Sequence, residues 1–305
     1  MKALRLFLGI LAGNAVGVLF LIALAYGILH MFPDAGLEVS LPSLVFVPIS
    51  MGLAAAWVWK PLNLRIYEVI LQSLACTLVG LSLAAIVFHE GIICLIILSP
   101  VFYGSLLAGA LAGRYWFRRD RNRLNLCLAP VIALLVALEP ATRTTQTSVV
   151  VDEIHIAASP ARVWPHVLAF APIPDPPNYW LFHLGLPYPT ETVNGGDFVG
   201  ASRACKFSGG AVFKETVAEL EPGKLLTFDI IEMPADPELL GHLDARRGQF
   251  ELRDNGDGTT TLIGRTWYTL HVRPGWYFDW WTHDIFRAVH LRVMGNIQRL
   301  AETPP

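Results

Sequence analysis

Arg203 and Glu215 are the first residues in this chain whose types and spacing could do chemistry. They lie on two alternating segments, 201–207 and 211–220, joined by Ser208-Gly209-Gly210. Ser-Gly-Gly between alternating runs signals a hairpin turn. A three-residue loop sets Phe207 opposite Ala211, and counting back by equal steps sets Arg203 opposite Glu215. Strands send alternate side chains to opposite faces, so Ala201, Arg203, Cys205 and Phe207 share one face and Phe213, Glu215 and Val217 share the next. That surface is otherwise small or apolar, where a lone charge is costly and a pair is tolerable. Three uses are open: a salt bridge at a rim, a polar pair that orients a ligand, or proton transfer by Glu215.

Other candidates sit on neighbouring segments. The run 225–233 turns Leu226, Phe228 and Ile230 inward, and 259–272 turns Leu262, Gly264, Thr266, Tyr268 and Leu270 inward. Tyr268 brings a hydroxyl to that surface, as a satisfied core tyrosine or as a ligand contact. A closing helix is expected over 276–302, with a stripe of Trp281, Ile285, Val289, Val293, Ile297 and Leu300, beside which run His283, Phe286, His290 and Met294. Two turns of helix separate the histidines by about 10 Å, too far to share one metal ion. No cysteine or carboxylate completes a metal site at ligand spacing, so neither metal nor cofactor is expected. His290 is either a hydrogen-bonded imidazole at the core edge or a cavity contact with an acid–base role. Arg203, Glu215, Phe228, Tyr268, Phe286, His290 and Met294 are therefore the expected cavity residues; no catalytic residue is assigned. Trp276 and Trp280 at the helix start, with Trp180 and Phe182 in the Pro-rich stretch 172–189, are the expected mouth or membrane-facing aromatics, since such rings favour membrane–water interfaces. Packing of that stretch onto the helix explains them equally well.

The elements that position these residues are written for two solvents. The chain has 305 residues, 53% hydrophobic and 16% charged, with a net charge of −2, and a mean hydropathy of +0.47. That hydropathy points to a partly membrane-embedded chain, and the charge gives no basic field for nucleic acid. Apolar runs at 6–31, 41–59, 66–88 and 91–113 each suffice for a transmembrane helix of ~20 residues. A fifth, 124–138, is short and holds Asn125 and Pro130; it either spans with snorkelling of Arg121 and Arg123 or lies at the interface. The expected division is a transmembrane bundle of about five helices over 1–138, a polar linker over 139–148, and a water-soluble α+β domain over 149–305. The apolar run after Lys2 and Arg5 is too long for a signal peptide and reads as a retained first span. Cations alternate sides: Lys2 and Arg5, then none beside Asp34 and Glu38, then Lys60 and Arg65, then five arginines over 114–123. The N-terminus is expected on the cytoplasmic side of a bacterial cell membrane and, if the fifth run spans, the soluble domain on the extracytoplasmic side. Asn14 and Gln72 read as interhelical hydrogen-bonding groups rather than an ion path. Gly9, Gly13 and Gly17, like Ser105, Gly109 and Gly113, form small-residue stripes for close helix packing or for dimerisation; oligomeric state is not legible. Cys205 is the lone cysteine of the soluble half, so no disulfide framework is expected.

In the soluble half a strand over 149–156 precedes a helix opened by Ala158-Ser159-Pro160-Ala161-Arg162-Val163-Trp164, expected to run to Phe170, with Ser159 as N-cap and Pro160 at its first position. The stretch 172–189 is expected to be irregular. Strands near 191–193, 201–207, 211–220, 225–233, 247–253 and 259–272 follow, and then the long helix. This order and that helix start resemble the START-like (SRPBCC) superfamily, the polyketide cyclase/dehydrase and lipid-transport group, over about 149–302. The resemblance implies a helix-grip fold: a curved antiparallel sheet around the closing helix, with an apolar cavity between. It implies a membrane-anchored domain that binds a lipid or other hydrophobic small molecule, in sensing or transfer. A cyclase/dehydrase-type enzyme using Glu215, Tyr268 or His290 is the alternative, and a non-catalytic interaction or sensory protein a further one. No nucleophile elbow, phosphate loop or paired-carboxylate motif favours catalysis.

Overall fold

The computed structural model describes residues 1–31, 41–87, 89–119, 146–236, 238 and 243–303. The short run 124–138, Cys127, the acidic loop with Asp34 and Glu38, and Arg121 and Arg123 lie outside the described residues, as do residues 139–145 of the expected linker. The chain divides into two compact units whose main segments meet at Thr144 and Thr145.

The first unit contains α1 (Lys2–Met31), α2 (Leu41–Trp59), a 3-10 turn (Lys60–Leu62), α3 (Ile66–Val87) and α4 (Ile92–Arg119). Among the described residues four helices are long and apolar enough to cross a membrane, and they make the chain a membrane protein. Their packing is inverted relative to a water-soluble core. Leucine, isoleucine and phenylalanine point outward from α1, while Asn14 is buried and its amide donates to the Ile10 carbonyl (2.9 Å) and the Cys76 carbonyl (3.3 Å). Gln72 is only half-buried. Small residues let α2 and α4 touch backbone to backbone: a Cβ on Gly52 would lie 2.0 Å from the Leu106 oxygen, and one on Gly109 2.1 Å from the Ile49 oxygen. The stripe of Gly109 is thus used inside the bundle.

The second unit runs β1 (Gln146–Ile156), α5 (Pro160–Leu168), α6 (Trp180–His183), β2 (Pro189–Asn194), β3 (Ser202–Phe207), β4 (Val212–Glu221), β5 (Leu225–Glu232), β6 (Leu243–Asp254), β7 (Thr260–Leu270) and α7 (Gly275–Glu302). The strands form one antiparallel sheet in the order β1-β7-β6-β5-β4-β3-β2. It is a curved half-barrel closed over α7, the helix-grip arrangement. Its core joins sheet and helices through buried Ile156, Val163, Val167, Leu226, Leu262, Met294 and Ile297.

The differences from the sequence reading have local causes. β1 starts at Gln146, so Gln146–Ser148 of the expected linker pair with Leu270–Tyr268. β6 is longer than 247–253 because the register shifts between Ala245 and Arg247. Inward residues are odd before that bulge and even after it, which hides the first part of the strand from an alternation count. The Pro-rich stretch is not wholly irregular: it holds the one-turn α6 and the first residue of β2. α5 ends at Leu168 rather than Phe170, and Ser159 occupies the N-cap without a side-chain cap bond. On α7 the buried face is Thr282, His290, Val293, Met294, Asn296, Ile297 and Ala301, rotated from the expected stripe; His283 is exposed.

Candidate functional site

The concave face of the sheet carries two polar groups in an apolar surround. The first is built by the β3–β4 hairpin, whose register sets Arg203 opposite Glu215 as the loop count predicts. Arg203 Nη1 donates to Glu215 Oε2 at 2.9 Å, with side chains only 2% and 5% exposed. The rim reading therefore fails; the pair is interior. The guanidinium also stacks 4.3 Å from the centroid of the Phe228 ring. That ring needs the missing side chain at Gly248, where a Cβ would sit 2.3 Å from Phe228 Cζ. Register places Thr266, Gly248, Phe228 and Val217 in one row across β7, β6, β5 and β4. The Phe228 ring thus forms a floor between Thr266 and Arg203. Arg203 Nε is buried and has no hydrogen-bond partner. Burial pushes the Glu215 carboxyl above its ordinary value, against the pull of Arg203. Burial, aided by Glu215, pushes the Cys205 thiol up to about 12, so it is no nucleophile at neutral pH.

The second polar group joins three elements. His290 on α7 is 5% exposed. Its Nδ1 lies 2.8 Å from Asp152 Oδ2 on β1, and its Nε2 lies 2.8 Å from Thr266 Oγ1 on β7. An ionised carboxylate only accepts, so Nδ1 carries hydrogen toward Asp152. In the neutral ring Nε2 then accepts from the Thr266 hydroxyl; in the charged ring it donates to it. Arg287 stands 3.8 Å from Asp152 Oδ1 on the solvent side. A base oriented by a carboxylate and hydrogen-bonded to a hydroxyl can move a proton to or from a group placed beside Thr266.

The remaining candidates are placed as follows. Tyr268 is fully buried and donates to Asp279 Oδ1 at 2.7 Å, so its hydroxyl is engaged; burial and Asp279 raise its pKa. Phe286 packs on it with ring centroids 5.1 Å apart. Met294 is fully buried and its sulfur fills the space over Gly264, so the helix, not a ligand, approaches that glycine. Trp276, Trp280 and Trp180 are 77%, 64% and 46% exposed. Phe182 is a correction: at 4% exposure it packs beneath Tyr179 and Tyr188 and cannot face a membrane. The Pro-rich loop is docked on α7, because Tyr179 donates to Asp284 Oδ2 at 2.6 Å and Trp180 lies edge-on to Trp281. Among the described residues no group of three His, Cys, Asp or Glu side chains could hold a metal ion. Sequence reasoning missed Asp152 and the role of Thr266. A charge in the inward phase of β1, with Val150, Ile154 and Ile156, was the available signal.

Residues 147–302 match the family model described as polyketide cyclase / dehydrase and lipid transport. A truncated norcoclaurine synthase from Thalictrum flavum is 16% identical, with a TM-score of 0.38, over 53% of this chain and 98% of that one. An uncharacterised protein from Bacillus thuringiensis is 15% identical, with a TM-score of 0.37, over 51% of this chain and 100% of its own. A protein from Mesorhizobium loti is 19% identical, with a TM-score of 0.34, over 50% and 96%. No curated protein matches the chain.

Proposed function

This chain belongs to the polyketide cyclase/dehydrase and lipid-transport family, and we propose that its second unit binds a lipid or other hydrophobic small molecule between the curved sheet and α7. The observation that carries the proposal is Arg203: an interior guanidinium with one N–H unpartnered, on an apolar floor, suits a ligand whose polar end accepts that hydrogen bond. Cys205 adds support, since it is deep enough for a strongly raised pKa yet keeps accessible surface, as a side chain lining an internal space would. In this reading Arg203, Glu215, Phe228, Phe286 and His290 contact the ligand, while Tyr268 and Met294 close the floor. Trp180, Trp276 and Trp280 face the bilayer near the mouth. The membrane helices hold the domain where such ligands reside and raise its effective concentration there, a use in lipid sensing or transfer. Cation alternation supports a cytoplasmic N-terminus and, if the run 124–138 spans, a second unit on the extracytoplasmic side of a bacterial membrane; a reporter fused after Ser148 that is active only in the cytoplasm would overturn this. Native mass spectrometry of the detergent-extracted full chain tests the binding. A co-purifying hydrophobic molecule, lost on Arg203→Met with fold retained, is the expected result; a ligand-free protein that takes up no added lipid refutes it.

The Asp152–His290–Thr266 chain favours a second reading, an enzyme of cyclase/dehydrase type in which His290 moves a proton on a hydrophobic substrate through or beside Thr266. Chemical change of the bound molecule by the wild type and not by His290→Gln separates this from simple binding.

A further inference from the structure

One end of the helical bundle gathers the start of α1, the end of α2, the start of α3 and the end of α4. Three side-chain links hold it: Lys2 Nζ to Glu68 Oε1 at 2.7 Å, Trp59 Nε1 to the Leu6 carbonyl at 3.1 Å, and Arg114 Nε to the Leu64 carbonyl at 3.0 Å. Between α2, α3 and α4 lies a recess with an apolar wall of Trp59, Leu64, Ala110 and Phe117 and cations of Lys60 and Arg114 at its edge. The bond from Arg114 Nε orients the guanidinium. Lys60 sits on the 3-10 turn, which Asn63 closes in the left-handed region (φ 46°) by donating its N–H to the Lys60 carbonyl. The Lys60 ammonium has no ion pair among the described residues. This end holds Lys2, Arg5, Lys60, Arg65 and Arg114 against Glu68, which Lys2 already neutralises.

We propose that this recess is a binding site for the phosphate of an anionic phospholipid. Two cations at the edge of one recess match a phosphodiester, with the Arg114 guanidinium offering its terminal N–H donors and Lys60 a point charge. They stand where membrane-crossing helices end, which is headgroup depth, and basic recesses between helices at that depth hold anionic headgroups. The depth of the recess favours a lipid over free phosphate, because anionic headgroups are concentrated where the helices end. The site is independent of the ligand proposed for the second unit.

The test is native mass spectrometry of the detergent-solubilised full chain, titrated with phosphatidylglycerol, phosphatidylcholine or inorganic phosphate. The expected result is preferential retention of phosphatidylglycerol, cut about five-fold by Lys60→Gln, the effect of one interfacial cation, and further by Lys60→Gln with Arg114→Gln. Lys60→Gln keeps the Arg114–Leu64 link, so loss of lipid without loss of melting temperature is a binding effect. The cut made by Lys60→Gln is the same when measured in an Arg203→Met chain, in which the second unit's proposed site is disabled. Equal retention of both lipids, an unaffected Lys60→Gln protein, or phosphate that competes as well as the lipid overturns the proposal.

Discussion

A double-mutant cycle on Arg203 and Glu215 tests the interior in the most demanding way. At 2.9 Å and an effective dielectric of ~20, the pair attract by about 6 kcal/mol. Desolvation costs several kcal/mol per ion, so the net contribution is near zero, whereas one charge left alone costs about 3–5 kcal/mol. The two singles differ in kind. Glu215→Leu strands a guanidinium that cannot lose its proton, and stays destabilised at every accessible pH. Arg203→Met forfeits the stack on Phe228, but Glu215 can neutralise itself by holding a proton. Burial already raises the folded pKa of Glu215 above its ordinary 4.5. Above the unfolded value the unfolded state has released its proton while the folded state keeps it, so stability falls as pH rises toward the folded pKa. Arg203→Met steepens that fall and is mildest near pH 4. Melting of the full chain in detergent, with the second unit followed by near-ultraviolet circular dichroism, should show each single lowered by roughly 6–20 °C at pH 7, using about 2–4 °C per kcal/mol for a unit of this size. Arg203→Met with Glu215→Leu should melt close to wild type and bind no ligand. A double mutant as unstable as the two singles summed, or singles that cost less than about 1 kcal/mol, would refute the buried-pair account.

Gly248→Ala drives a Cβ to 2.3 Å from Phe228 Cζ; it should cost about 1–3 kcal/mol and weaken ligand retention, and Phe228→Leu in the same chain should restore stability in denaturant titration. Met294→Ala empties a fully buried site and should cost about 2–5 kcal/mol, read from the same titration. Asp152→Asn replaces the charged acceptor that fixes His290 with a neutral amide; it should cost about 1–3 kcal/mol and shift the His290 ring-nitrogen resonances, whereas His283, exposed on the same helix, should not move. Trp180→Ser with Trp276→Ser should reduce lipid uptake while the exposed Trp276 position changes stability by under about 0.5 kcal/mol; unchanged uptake by the folded protein removes the aromatic patch from the mouth.

The strands were legible where one face is consistently apolar. Alternation in 201–207 and 211–220, with a three-residue loop, was enough to place Arg203 against Glu215, because a hairpin's register follows from its turn. It failed at Arg246, where one bulged residue reverses the phase and hides half of β6. The Pro-rich stretch failed differently. Pro176, Pro177, Pro187 and Pro189 argue against regular structure locally, yet tertiary contacts override them: Arg292 donates to the Pro189 carbonyl at 3.0 Å and stacks on Tyr188 at 4.8 Å, holding the loop on α7.

The Asp152–His290–Thr266 chain shows what periodicity cannot supply. Apolar spacing fixes that α7 has an inward face, but a 3.6-residue period leaves the helix's rotation over the sheet free by tens of degrees. Of the expected stripe Val293 and Ile297 are buried but Ile285 and Leu300 are only half-buried; Met294 and Ala301 are buried in their stead. What sets the rotation is packing that the sequence does not announce. Gly264 has no side chain, so the Met294 sulfur drops into its place. One turn earlier, that same rotation carries His290 down between β1 and β7. There Asp152 and Thr266, on the inward phases of the first and last strands of the unit, which pair with each other, take both ring nitrogens. A charged residue on the inner face of a first strand, 138 positions before its partner, is therefore the signal to seek, because burial without a partner would be too costly for it to stand there alone.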